Sequence, residues 1–201
     1  MRKALLICAV LIVNTACGTE LTTVTFDELP EQPLNGTSVK GVTFEFTGST
    51  PRMEVALFGA TRLSFAESKL LNAPWIEAPT VSGLTMRFAQ PTPFLSFDLG
   101  YAGGAPLTPG YTVNLFSGAT QIGSTAVNTA IGGTSPFSFN EGKFTYNDPS
   151  RPLTSATLTL AQPPPSDIFV VDNVAFVPEP SITAFIVLGA YAILGSRRRA
   201  K

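Results

Sequence analysis

The amino-acid sequence predicts an all-β fold, an antiparallel β-sandwich of the jelly-roll type. Apolar and polar residues alternate in many short segments, as in Leu95, Ser96, Phe97, Asp98 and Leu99. An alternation with a period of two is typical of strands that bury one face. The 201 residues also include 17 glycines and 17 prolines, which separate the segments with turns. Short strands with frequent turns favour a sandwich or a jelly roll.

Roughly nine to eleven strands fit this pattern along the body of the chain. The alternating segments include residues 22–26, 42–47, 84–88, 95–99, 111–116, 120–127, 157–160 and 168–176. Ser117-Gly118-Ala119 predicts a hairpin loop between residues 111–116 and 120–127. A second hairpin is expected in residues 137–146, with its turn at Glu141-Gly142.

The residue types that are present exclude several kinds of chemistry and of partner. The sequence contains no histidine, and its two cysteines, Cys8 and Cys17, lie near the N-terminus. Ser-His-Asp and Cys-His catalysis and histidine-ligated metal sites are therefore excluded. Residues 18–180 hold all 14 acidic residues and seven of the 13 basic ones. We expect no nucleic-acid partner, because phosphate binding needs clustered lysines and arginines.

The N-terminus has the three parts of a secretory signal peptide. A positive start, ten apolar residues and a small-residue site follow one another in residues 1–18. Ten apolar residues are too few to cross a bilayer core of about 30 Å as a helix, so a permanent anchor is not expected here. The pattern therefore predicts a signal peptide and export of the chain. Cys17 follows two small residues, as in the lipobox of bacterial lipoproteins, but Asn14 stands where that motif has leucine. Lipidation of Cys17 is therefore the less favoured alternative.

The C-terminus has a second tripartite pattern. Pro178, Glu179 and Pro180 precede a mainly apolar run of 14 residues, and the cluster Arg197, Arg198 and Arg199 follows it. The prolines keep the tripeptide extended, as a protease or transpeptidase cleft requires. The run makes a helix of about 21 Å, which crosses a membrane if flanking residues extend it and the arginines snorkel. The arginines then hold the C-terminus in the cytoplasm.

This order of motif, apolar helix and arginine cluster resembles the PEP-CTERM sorting signal of Gram-negative bacteria. The resemblance implies that an exosortase, a membrane transpeptidase, cleaves the tail of a membrane-inserted precursor. It further implies a product at the cell surface or in the extracellular matrix. Members of this family often occur in bacteria that make extracellular polysaccharide. The chain then divides into a signal peptide (1–18), an exported β-sandwich (19–176) and a sorting signal (177–201). An ordinary tail anchor is the alternative.

The two ends of the body, residues 24–29 and 169–176, resemble the opening and closing strands of many PEP-CTERM ectodomains. Those domains are similar in outline to carbohydrate-binding jelly rolls, in which a calcium ion often ties the first strand to the last. Asp27, Glu28 and Asp172 offer the hard oxygen ligands that calcium prefers. A strand end that reaches solvent or binds backbone amides is the favoured alternative to a calcium site.

Asp172 also stands out within its own segment. It falls in register with Val170, Val174 and Phe176, an otherwise apolar line. A carboxylate on a buried face needs a partner or a bulge, because burying an unpaired charge is costly. Trp75, the single tryptophan, lies in a proline-flanked loop and could stack on a sugar ring. Covering the open end of the sandwich is the favoured alternative role for Trp75.

The first functional hypothesis is a non-enzymatic surface or matrix protein that needs no cofactor and is associated with exopolysaccharide. The first alternative is a carbohydrate-binding or calcium-binding module. The second is a secreted glycan hydrolase that uses two carboxylates, although no acidic pair stands in an obvious cleft-forming loop. The third is a lipoprotein or a tail-anchored envelope protein with a structural role.

Overall fold

The computed structural model describes residues 20–30, 32–33, 35–47, 54–57, 64, 69–73, 83–102, 105–132, 139–160 and 169–179. These residues form fourteen strands and no helix, so the all-β prediction is confirmed. In this part of the chain, no helix is long and apolar enough to cross a membrane. The strands are β1 (Thr22–Val24), β2 (Gln32–Pro33), β3 (Thr37–Val39), β4 (Val42–Thr47), β5 (Glu54–Leu57), β6 (Lys69–Ala73), β7 (Gly83–Thr92), β8 (Phe94–Ala102), β9 (Tyr111–Ser117), β10 (Thr120–Val127), β11 (Ala130–Gly132), β12 (Phe139–Asn147), β13 (Leu153–Leu160) and β14 (Phe169–Phe176).

The strands form two antiparallel sheets. The larger sheet has eight strands in the order β11-β12-β8-β14-β6-β5-β2, with β1 as an additional partner of β14. The smaller sheet has six strands in the order β10-β9-β13-β7-β4-β3. Most neighbours in each sheet are distant in sequence, as in β8 beside β14 and β7 beside β13. The sandwich therefore depends on long-range pairing rather than on local hairpins.

The core lies between the two sheets and uses one face of each strand. Leu84 and Met86 from β7 and Leu95, Phe97 and Leu99 from β8 are fully buried, as the alternation predicts. They belong to one hydrophobic cluster to which both sheets contribute. Aromatic rings pack within it, for example those of residues 97 and 144, whose centroids lie 5.0 Å apart. Apolar burial of this kind is the main favourable term in folding.

Of the two predicted hairpins, one is confirmed and one is wrong. Strands β9 and β10 pair across a tight turn in which Gly118 has a φ of 58°. Residues 139–147, in contrast, form the single strand β12, in which Gly142 lies opposite Leu99. A Cβ on Gly142 would lie 3.0 Å from the carbonyl oxygen of Asn128. The glycine therefore marks a close approach of two chain segments and not a turn.

The alternation of β14 is interrupted by a β-bulge, which corrects the predicted position of Asp172. The pairing of β14 with β8 shifts register between Asp172 and Ala175, and Asn173 has a φ of 53°. Because of the extra residue, Val174 and Phe176 lie on the core side, while Asp172 lies on the opposite side. The bulge lies where the other neighbour of β14 changes from β6 to β1.

The end of the body is fixed to the smaller sheet. The N–H of Val177 donates to Oγ1 of Thr92 at 3.1 Å, and this buried hydroxyl donates to the carbonyl of Val177 at 2.7 Å. The N–H of Glu179 donates to the carbonyl of Pro91 at 2.8 Å. We call this set of contacts the Thr92 clamp. The hydrogen-bonded body therefore extends three residues beyond the boundary predicted at residue 176.

Candidate functional site

The outer face of the larger sheet, which points away from the core, carries two adjacent rows of residues. Asp172, Asp98 and Lys143 lie directly opposite one another on β14, β8 and β12 and form the first row. The second row contains Val170, Gly100, Glu141 and Ala130, which lie directly opposite one another on β14, β8, β12 and β11. Since directly opposed residues point to the same side of a sheet, both rows share the outer face. Gly100 has no side chain and leaves a gap in the second row.

Asp98 is the best-anchored carboxylate of the first row. Its Oδ1 lies 3.3 Å from Nζ of Lys143, and its Oδ2 accepts a hydrogen bond of 3.0 Å from Nδ2 of Asn173. Its side chain is 14% exposed, whereas that of Lys143 is 64% exposed. The ammonium therefore reaches solvent while the carboxylate stays fixed between two donors. Asn173 reaches Asp98 because the bulge in β14 turns its side chain toward the outer face.

Glu141 is held by a segment that is distant in sequence. The N–H of Ser64 donates to its Oε1 at 2.7 Å, and the hydroxyl of Ser64 donates to its Oε2. Gly132, on the short edge strand β11, leaves space for this carboxylate. A Cβ at position 132 would lie 2.1 Å from Cδ of Glu141, which is far inside contact distance. The carboxylate can occupy its observed position only because residue 132 is glycine.

These residues surround a cleft of about 340 Å³, within the range of small-molecule sites. Its lining includes Ser64, Asp98, Ile131, Glu141 and Lys143. Ile131 is 63% exposed, but it lies opposite Asn140, so its side chain points to the other side of β11 from Glu141. Ala130 is exposed and lies on the same side as Glu141. The cleft thus combines two fixed carboxylates, one ammonium that reaches solvent and a small apolar side chain, and these groups can form hydrogen bonds with the hydroxyl groups of a ligand.

Asp172 lies beside Asp98 in the first row and is only 3% exposed. Burial is the main cause that raises the pKa of its carboxyl to about 7. The N–H of Asn173 donates to Oδ1 at 2.7 Å and acts in the opposite direction. The negative charges of Asp27, Asp98 and Glu28 raise the pKa further. The carboxyl is therefore partly protonated near neutral pH.

The three predicted calcium ligands lie within electrostatic reach of one another, since Asp27 and Glu28 both act on Asp172. Glu28 forms an ion pair with Lys40, whose Nζ also donates to the carbonyl of Thr23 at 2.6 Å. Partial burial acts to raise the pKa of Glu28, but Lys40 and nearby backbone amides outweigh it and lower the pKa. No group of three metal-ligating side chains occurs among the described residues. Calcium binding remains a prediction.

Several predicted residues lie outside the described part of the chain. These are Cys17, Trp75, Pro180, Arg197, Arg198 and Arg199. Pro178 and Glu179 are described and are half-buried beside the end of β7. From the sequence, Glu141 is predicted only as part of a turn and Asp98 only as a polar position of a strand, and no pattern indicates Lys143. The signal that could have found them is the glycines at positions 100 and 132, which open space on the outer face of β8 and β11.

No protein-family model matches the chain, and no curated protein matches it either. Solved structures with a similar fold include the enzymatically active domain of tailspike protein 4 of bacteriophage CBA120, with a TM-score of 0.41 and 13% identity over 72% of this chain. A cyclase from Fischerella sp. TAU has a TM-score of 0.40 and 17% identity, and the match covers 84% of this chain and 93% of the cyclase. The C-terminal family 22 carbohydrate-binding module of Clostridium thermocellum Xyn10B has a TM-score of 0.39 and 14% identity, covering 78% of this chain and 92% of the module.

The chain spans only 21% of the tailspike domain and 26% of a further similar structure, the family 22 and family 10 modules of the Xyn10B xylanase. Several of the similar structures are carbohydrate-binding modules, including a family 29 and a family 11 module. All these likenesses are too distant to carry a functional argument.

Proposed function

We propose that this protein is an exported, non-enzymatic polysaccharide-binding protein with a jelly-roll body, and that the cleft on the outer face of the larger sheet binds the glycan. The observation that carries the proposal is the joint presence of Asp98, Glu141, Lys143 and exposed Ala130 around one cleft of about 340 Å³. Several of the similar structures are carbohydrate-binding modules, which is consistent with this function. The proposal does not rest on them.

The chemistry of a sugar fits these groups. Its hydroxyls are both donors and acceptors, and a fixed carboxylate accepts strong hydrogen bonds from them. Asp98 and Glu141 are held by protein donors before any ligand arrives, so binding costs little ordering of these side chains. Ala130, which lies on the same face as Glu141, offers an apolar contact for the C–H face of a pyranose. Lys143, which extends into solvent, supplies a donor to ring or hydroxyl oxygens.

The binding experiment measures migration of the protein in native gels that contain dissolved polysaccharides. We expect retardation in at least one polysaccharide, and about a tenfold weaker affinity for Glu141→Ala and for Lys143→Ala, because each removes one polar anchor of the cleft. Arg87→Ala is the matched control, since Arg87 is an exposed charge on the outer face of the smaller sheet. If a polysaccharide retards all three variants equally, it binds outside this cleft. Release of reducing ends that Asp98→Asn abolishes would instead indicate a hydrolase with the carboxylate pair Asp98 and Glu141.

We infer in addition that export and C-terminal sorting deliver this body to the cell surface. The predicted partners are the membrane, before processing, and an exosortase-type transpeptidase. This inference is supported by the Thr92 clamp, because the hydrogen bonds of the body reach Glu179, in the middle of the Pro-Glu-Pro motif. Cleavage just after the motif would release a complete sandwich.

Intact mass of the protein from membrane and released fractions of its native host tests this part. We expect loss of about residues 1–18 and of the tail beyond about residue 180, as the signal peptide and sorting patterns require. A membrane species that retains Arg197, Arg198 and Arg199 would mean that the tail is an ordinary anchor. A mass added at Cys17 would indicate a lipoprotein.

A further inference from the structure

We propose that the cleft on the outer face selects uncharged polysaccharides over those that contain uronic acids, and that Gly132 sets this selectivity by positioning the carboxylate of Glu141. The inference rests on the proposed glycan-binding function and specifies its ligand class. Three properties of the cleft carry it: its net charge, the way its carboxylates are held, and the space at position 132.

The charges around the cleft are unequal. Among the residues that the structure describes, two carboxylates, Asp98 and Glu141, line it against one ammonium, Lys143. The charge of Lys143 is already engaged by Asp98 at 3.3 Å, and Asp172 lies beside Asp98 in the same row. A uronate carboxylate that enters the cleft therefore meets an excess of negative charge among these described side chains. Like charges brought together at a binding surface disfavour wrong partners.

The carboxylates are held so that they can accept hydroxyl groups. Each oxygen of Asp98 is engaged by one protein group, Lys143 or Asn173, and each oxygen of Glu141 by one donor of Ser64. A carboxylate oxygen has about two acceptor directions, so acceptor capacity remains on both side chains. A neutral sugar satisfies this capacity with its hydroxyls, whereas a second carboxylate has no proton to donate.

Gly132 determines where the charge of Glu141 lies. A Cβ at residue 132 would come within 2.1 Å of Cδ, 2.3 Å of Oε2 and 2.6 Å of Cγ of Glu141. All three atoms belong to the flexible part of one side chain, so alanine at this position moves the carboxylate and leaves the backbone in place. Strand β11 is three residues long and lies at the edge of the larger sheet. Gly132 is thus a positioning residue that acts through Glu141.

The experiment compares the affinities of the full chain for a mixed-linkage β-glucan, a xylan and an α-glucan with its affinities for polygalacturonate and alginate. We expect at least one uncharged polymer to bind at least tenfold more tightly than either uronate. Glu141→Gln keeps the shape of the side chain and removes its charge, so it should raise uronate binding about tenfold relative to the neutral polymer. Raising the salt from about 0.02 M to about 0.5 M should narrow the preference of the unmodified protein, because it screens the charges.

Gly132→Ala tests the positioning role, and Ser64→Ala serves as a second variant that loosens Glu141 without adding a side chain. We expect each to weaken binding of the neutral polymer about fivefold and to leave the melting temperature within a few degrees of the unmodified protein. Neutral-polymer affinity that neither variant changes would overturn the positioning role.

The remaining outcomes separate the two proposals. Tighter binding of a uronate than of every neutral polymer would overturn the ligand class while glycan binding stands. Failure to bind any of the five polymers would overturn the proposed function and the ligand class together. If Glu141→Gln leaves the preference for uncharged polymers unchanged, the charge of Glu141 does not determine that preference. This outcome would overturn the electrostatic argument.

Discussion

The outer faces of the two sheets differ, although the strands beneath them follow the same alternation. On the smaller sheet, Thr85 and Thr157 share a hydrogen bond of 3.1 Å, and Arg87 pairs with Glu45 at 2.7 Å while both side chains stay largely exposed. On the larger sheet, Val170 is fully buried and Asp172 is 3% exposed. The first face is an ordinary solvated surface of cross-strand pairs. The second is covered in part, and it holds Asp98 and Asp172 largely away from water.

The difference shows which polar face of a sandwich can bind a ligand. A solvated pair of opposite charges contributes about 0–1 kcal/mol and orders little around it. Buried or half-buried carboxylates cost free energy unless they are partnered, so their presence on a strand face indicates a fixed arrangement. The covered face, with Asp98 and Glu141 anchored at both oxygens, is therefore the one that can recognise another molecule.

Val170→Ala gives the largest expected effect on this comparison. The substitution removes two methyl groups from a fully buried site on the outer face and should lower the free energy of unfolding by about 2 kcal/mol. Thr85→Ala removes as many atoms from the outer face of the smaller sheet and should cost less than about 1 kcal/mol. Urea unfolding followed by tryptophan fluorescence or circular dichroism measures both. Equal losses would mean that the two faces are covered alike.

Asp172→Asn gives a smaller effect that depends on pH. The folded-state pKa of Asp172 is raised to about 7, so the folded protein keeps this proton while the unfolded chain has lost it. The stability contributed by Asp172 is therefore complete below about pH 4 and is lost as the pH rises to about 7. Asparagine resembles the protonated form, so the variant should be more stable than the unmodified protein at about pH 8, and this gain should disappear as the pH falls to about 4.

The measurement for this variant is the urea midpoint at several pH values between about 4 and 8, compared with the unmodified protein at each pH. Glu45→Gln is the matched control, because Glu45 is an exposed carboxylate on the smaller sheet. Its difference from the unmodified protein gives the effect of removing a carboxylate that is exposed to solvent. A constant difference for Asp172→Asn would contradict the account of Asp172 as a buried, partly protonated carboxyl.

The core face of the long strands could be predicted from the sequence, and the site could not. The alternation at Leu95, Phe97 and Leu99 places these side chains in the core, because a half-buried strand leaves a period-two pattern. Strands β2 and β11, with two and three residues, are too short to show such a pattern. Val174 and Phe176 keep the predicted core face, but the bulge after Asp172 places Asp172 and Val170 on the outer face, because one extra residue exchanges the two faces of a strand.

The cleft itself is formed by residues that are neighbours only after folding. Asp98 meets Lys143 across two strands that are more than forty positions apart, and Ser64 reaches Glu141 over an even longer separation. Neither pair leaves a local motif in the sequence. Asp27 and Glu28 lie near enough to Asp172 to raise the pKa of its carboxyl, because the first and last strands, β1 and β14, pair with each other.

The Thr92 clamp has a mechanical consequence for a body that is held by its C-terminal end. Strand β14 belongs to the larger sheet, but Val177 and Glu179 are hydrogen-bonded to the end of β7 in the smaller sheet. Tension on the chain beyond Glu179 is thus divided between both sheets instead of peeling β14 from its neighbours. If the protein is held at this end and binds a polymer, as proposed above, force on the polymer acts on both sheets together.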